Sequence, residues 1–116
     1  MSKQVFAKTG PPIKILYELL LKICHIRGEN FFILSPATYK RALYLNVIDD
    51  FFQELTPYYK KSKLFYITRE HSYKHFLTIV RQICNYHSIV FNNMIKYDKS
   101  NYDISYKIYL SKNLAM

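Results

Sequence analysis

Lys74, Thr78, Arg81 and Asn85 recur at spacings of four, three and four, with Gln82 beside them. On an α-helix such spacings stack side chains on one face, and these residue types suit the surface of a nucleic acid. At base edges a guanidinium pairs with guanine and a carboxamide with adenine, while Lys and Thr contact phosphates. The same stripe would equally serve as the solvated face that an amphipathic helix needs. A denser cationic segment precedes it, in which Lys60, Lys61, Lys63 and Arg69 are interleaved with Tyr58, Tyr59, Phe65 and Tyr66. Cations follow a phosphate backbone and exposed rings stack on unpaired bases, so this segment suits a single strand. The alternative is a basic loop whose aromatics are tucked into the core. Lys96, Lys99 and Lys107, further along, would add backbone contacts from a β-ribbon.

Metal and catalytic chemistry are poorly served. Cys24, His25, Cys84 and His87 are the types a tetrahedral zinc site uses. However, Cys24 and His25 are adjacent and point in different directions on a helix. Both cysteines also fall at apolar helical positions, where free core thiols sit. Asp49, Asp50 and Glu54 lie on the solvent side of a predicted helix with no further carboxylate to pair with for metal or acid–base work. His71 and His75 are four apart, as zinc-protease histidines are, but the residues between them are Ser72, Tyr73 and Lys74, and the general-base Glu is missing. Glycine occurs only at positions 10 and 28, so no loop is built to cradle phosphate. The expectation is a non-enzymatic protein without metal or other cofactor.

The elements that must position these residues follow from periodicity. Residues 1–10 are polar and end at Gly10 before two prolines, which predicts a flexible arm. Pro12 suits the first turn of a helix running to about residue 26, with Ile13, Leu16, Tyr17, Leu20, Ile23 and Cys24 on the apolar side and Gly28 as its C-cap. Residues 30–35 read as a short strand. Ser35 followed by Pro36 starts a second helix over Pro36–Tyr44. Asn46 with Asp49 three residues on predicts a side-chain-capped third helix whose apolar side is Val47, Ile48, Phe51, Phe52 and Leu55.

Residues 57–69 fit either a helix begun at Pro57 or a loop leading to an extended segment. From residue 70 a long helix buries Tyr73, Phe76, Leu77, Val80, Ile83 and Cys84. At Ser88 its period of 3.6 gives way to the period of 2 of a two-stranded ribbon. Ile89, Phe91, Ile95 and Tyr97 alternate on the first strand. On the second, Tyr102, Ile104, Tyr106, Ile108 and Leu110 alternate with Asp103, Ser105, Lys107 and Tyr109, across a polar turn at 98–101.

The order helix, strand, helix, helix, basic segment, long helix, strand, strand predicts a helix-rich α+β single domain over residues 11–112 with a C-terminal β-hairpin. It is winged-helix-like, with one element more than a winged helix has. In a winged helix, the helix feeding the ribbon is the one that enters the major groove.

A chain of 116 residues has room for a single core. Seventeen Lys and Arg against eight Asp and Glu leave a net charge of +9, which favours nucleic acid, an anionic surface or an acidic protein as partner. The abundance of Lys, Asn, Ile, Tyr and Phe is also what AT-rich codons supply, so part of that charge follows genome composition. The apolar run over 13–26 is broken by Lys14, Glu18 and Lys22 and falls short of a membrane span. No apolar h-region marks a signal peptide, and two isolated cysteines suit a reducing compartment.

The stretches PYYKKSKLFY, FLTIVRQICN and IKYDKSNYDISY resemble a group of small proteins encoded by nucleocytoplasmic large DNA (giant) viruses, over much of residues 46–110. The resemblance implies a setting in the host cytoplasm or the virion, and roles on the viral genome or transcripts, in viral transcription, or inside the particle. It adds weight to a surface use of Lys60, Lys61, Lys63 and Arg81 and carries no activity.

The combined expectation is a basic viral accessory protein that binds DNA, or RNA, through a helix face and a ribbon wing, without membrane contact. The alternative is a protein-interaction or virion structural module that contacts other viral proteins or a second copy of itself through its Tyr-rich surfaces.

Overall fold

A computed structural model describes residues 6, 7, 9–24, 31–59, 72–93 and 105–109. Within them the chain forms α1 (Ile13–Ile23), β1 (Phe31–Leu34), α2 (Pro36–Tyr44), α3 (Val47–Leu55) with a 3-10 turn at Thr56–Tyr58, α4 (Tyr73–Tyr86), β2 (Phe91–Asn93) and β3 (Tyr106–Tyr109). The strands make one antiparallel sheet in the order β1–β3–β2. This is the expected α+β arrangement: a helix-rich layer on a small sheet, with the C-terminal strands paired as a ribbon. The turn at 98–101, the segment 60–71 and the Gly28 cap lie outside the described residues.

Local chemistry sets most boundaries. The Ser35 hydroxyl accepts from the Thr38 N–H at 3.1 Å, and Pro36 fills the first helical position of α2. Ser72 does the same for α4, accepting from His75 N at 3.1 Å. Each such cap is worth about 1 kcal/mol, because it satisfies a donor the helix cannot.

The C-terminus of α4 is a Schellman turn. Ser88 takes a left-handed φ of 58°, Ser88 N donates to Asn85 O at 3.2 Å, and Ile89 N donates to Cys84 O at 2.7 Å. The predicted switch of period at Ser88 is thus a real corner in the backbone.

Three expectations are corrected. α1 ends at Ile23, short of residue 26, because Cys24 turns extended (φ −124°, ψ 136°) and its thiol donates to the Ile33 carbonyl at 3.1 Å. Asn46 caps nothing with its side chain: it sits at φ 62° and closes α2, its N–H donating to Leu43 O at 3.1 Å. Asn is among the few residues that tolerate that conformation. The predicted arm is not loose at Phe6 or Gly10. Phe6 is buried in an antiparallel bridge with Tyr59, edge-on to the rings of Tyr59 and Tyr86 at 5.0 Å each. Gly10 N donates to the Tyr86 hydroxyl at 3.2 Å, and His87 Nε2 donates to the Pro11 carbonyl at 2.7 Å. A side chain at Gly10 would strike the Tyr86 ring, 2.5 Å from where its Cβ would be.

The core joins Leu16, Leu20 and Ile23 of α1 to Phe32 and Leu34 of β1, Ile48 and Leu55 of α3, Ile79 and Ile83 of α4, and Ile108 of β3. An aromatic group knits α2, α3 and α4 together: Phe76 lies 5.2 Å from Tyr39 and 6.0 Å from Phe51, and Phe52 stacks on His75 at 5.6 Å. Deleting one such buried side chain to Ala costs about 2–5 kcal/mol in a core of this kind. Among the described residues, the helices cover the sheet face bearing Phe32, Leu34, Tyr106 and Ile108. Phe31, Ile33, Lys107 and Tyr109 point the other way.

Candidate nucleic-acid interface

α4 buries a wider arc than its sequence pattern predicts. His75 and Ile79 join Phe76, Leu77, Val80, Ile83 and Cys84 inside. Burial holds His75 below its usual pKa, and it pushes the Cys84 thiol up to about 12, as it does Cys24. What remains outside is Lys74, Arg81, Asn85 and Tyr86, all exposed, with Tyr73, Thr78 and Gln82 partly so. The Thr78 hydroxyl donates to the Lys74 carbonyl at 3.0 Å, within its own helix. Gln82, expected at base edges, is half-buried, and its Oε1 accepts from the Tyr59 hydroxyl at 3.2 Å. Its carbonyl is thereby committed to holding Tyr59 against α4.

Arg81 is the member of the stripe with a built setting. Phe91 of β2 and Tyr106 of β3 stack on each other, 4.8 Å between centroids and 24° between planes. The Arg81 guanidinium carbon lies 5.1 Å from the first ring and 5.7 Å from the second. A guanidinium held over ring faces can present its N–H edge to a carboxylate or phosphate. The helix and the ribbon are therefore joined at one exposed, pre-oriented cation.

Lys107 does not join Arg81. Its strand neighbours Tyr106 and Ile108 face the helices, so alternation puts Lys107 on the opposite sheet face. There its Nζ lies 4.6 Å from the Phe31 ring centroid. The residues expected to form one contact surface thus divide between two. Lys60, Lys61, Lys63, Arg69, Lys96 and Lys99 lie outside the described residues. Of the aromatic partners proposed for the cationic segment, Tyr59 is buried and Tyr58 half-buried, so Tyr59 belongs to the core and offers no exposed ring.

The described carboxylates are confined to two helices, Glu18 on α1 and Asp49, Asp50 and Glu54 on α3, where they are mixed with cations: Lys14 pairs with Glu18 at 3.8 Å, and Lys22 lines a shallow groove with Glu18, Asp50 and Glu54. α4 and the sheet carry Lys74, Arg81 and Lys107 and no described carboxylate. No cluster of three metal-ligating side chains occurs among the described residues, and no described helix is long and apolar enough to cross a membrane.

Alternation in the sequence puts Tyr109 on the polar phase of its strand, as the structure does; what sequence reasoning missed is its partner there, Phe31, because no local signal pairs β1 with β3. Comparison with known proteins finds no family model, no curated protein and no solved structure that matches the chain.

Proposed function

We propose that the protein is a non-enzymatic nucleic-acid-binding domain that meets duplex DNA along the exposed stripe of α4. The observation that carries this reading is Arg81, an exposed guanidinium fixed over the Phe91–Tyr106 stack on a surface without described carboxylates. Lys74 and Asn85 extend the contact along the helix, one for phosphate and one for a base edge. A winged-helix-like docking is supported by the helix feeding directly into the ribbon and by a first strand that pairs with the last, with one helix beyond the usual order. The resemblance to giant-virus proteins would place such binding on a viral genome in the host cytoplasm or virion.

Duplex affinity measured across a salt series tests the reading. Binding should fall steeply with salt, with a slope of about −0.9 per phosphate neutralised. Affinity that is undetectable at low ionic strength, or indifferent to salt, rejects it.

A second reading, contact with another protein, is favoured by Tyr44, which is 87% exposed beside exposed Leu45, Lys40 and Arg41 at the end of α2. Tyr and Arg in such settings anchor interfaces. A stable oligomer in light scattering, with no nucleic acid co-purifying, would decide for it.

A further inference from the structure

The sheet face turned away from the helices carries a second set of groups that duplex binding along α4 does not use. Phe31 and Tyr109 are cross-strand partners on it, their rings 5.7 Å apart and tilted by 51°, both half-buried. Lys107 lies two residues before Tyr109, paired with Ile33 on one side and Asn92 on the other. Ile33 is 40% exposed. Val90 is 50% exposed, and its carbonyl accepts from Tyr109 N at 2.9 Å, continuing the ladder.

We infer that this face binds unpaired bases of a single-stranded nucleic acid, with Tyr109 and Phe31 as the stacking rings and Lys107 as the phosphate contact. The two chemistries a single strand requires stand side by side here. Residues two apart on a strand lie about 7 Å from each other, within the reach of one nucleotide from phosphate to base. Rings stack on any base whose face is open, and paired bases in a duplex have none open. Asn92 supplies a carboxamide beside the cation. A symmetric contact between two copies is disfavoured by the same geometry, since a two-fold axis through the face would bring Lys107 toward its own copy with no described carboxylate to neutralise it. The inference rests on the general nucleic-acid reading but uses different residues, on the opposite face of the sheet.

The test is fluorescence polarisation of a short oligothymidylate and of a duplex, with wild-type protein, Tyr109→Leu, Lys107→Gln and Arg81→Ala. Tyr109→Leu should weaken oligothymidylate binding about tenfold and leave duplex affinity unchanged. Lys107→Gln should reduce the single-strand salt slope by about 0.7. Ultraviolet crosslinking of oligothymidylate to the wild-type protein should mark the peptide holding Tyr109 or Phe31, and this decides the matter even if Tyr109→Leu does not fold.

Oligothymidylate that does not bind, binds the variants as it binds wild type, or crosslinks elsewhere overturns the inference while leaving the duplex reading standing. Duplex affinity that Arg81→Ala does not change overturns the duplex reading alone. A wild-type dimer that Tyr109→Leu dissociates assigns the face to self-association and overturns the single-strand inference.

Discussion

The guanidinium of Arg81 lies over the ring of Phe91, 5.1 Å from its centroid, so a residue of α4 and a residue of β2 hold one charge between them. Removing that charge tests the proposed function directly. Arg81→Ala should weaken duplex binding about tenfold and reduce the salt slope by about 1. Phe91→Leu, which keeps the charge and removes its platform, should cost less affinity and leave the salt slope intact. Equal slopes in wild type and Arg81→Ala would show that the cation makes no phosphate contact.

Two left-handed residues give opposite expectations to those of side-chain caps. Ser88→Gly should stabilise the protein by about 0.5–1 kcal/mol in urea denaturation, since φ 58° is costly with a Cβ and free of that cost without one. Asn46→Ser keeps a good capping side chain but loses tolerance of φ 62°, and is expected to destabilise. Asn46→Gly should be neutral or better. A stable Asn46→Ser variant would restore the capping role that the structure denies.

Stability should fall as pH drops through about 6.5. His75 is buried, and burial lowers its pKa below the 6.5 of an exposed imidazole. Between those two values the unfolded chain takes up a proton that the folded chain refuses, so unfolding is favoured as pH falls. Above about 6.5 both states are neutral and the effect vanishes. His75→Leu should flatten this part of the stability–pH curve in thermal unfolding, and an unchanged slope would assign it to another group.

Cys24 and Cys84 should resist alkylation at mildly alkaline pH. Burial pushes both thiols up to about 12, which leaves little thiolate to react. Mass spectrometry after brief iodoacetamide exposure should find neither modified in the native protein and both modified in urea. Rapid native modification of either would contradict its burial.

How much of this was legible beforehand depends on whether the signal was local. Ser35–Pro36 and the Ser88 corner could be read because caps and period changes act over a few residues. Asn46 misled because one residue type serves both as a side-chain cap and as a left-handed terminator, and the letter does not say which. Alternation placed Tyr106 on the apolar phase of its strand and Lys107 on the polar one, but no local signal showed that Arg81 of α4 would reach the rings on the apolar face, so Lys107 was grouped with Arg81. Phe6 and Tyr59 were hidden for a different reason: each is an aromatic in a polar neighbourhood, and its partner lies far along the chain. The Gln82 contact with Tyr59 shares that origin, spanning 23 positions.

The strap from Phe6 to Pro11 bears on the order in which the molecule assembles. Its bonds to Tyr86 and His87 each span 76 positions, so they close a ring that takes in every described helix and β1 and leaves β2 and β3 outside. Closure over that length is entropically unfavourable until the intervening chain has folded. The strap should therefore be the last piece to latch and the first to let go. Amide hydrogen exchange at Ala7 and Gly10 would time that latch separately from the unfolding of α4 beneath it.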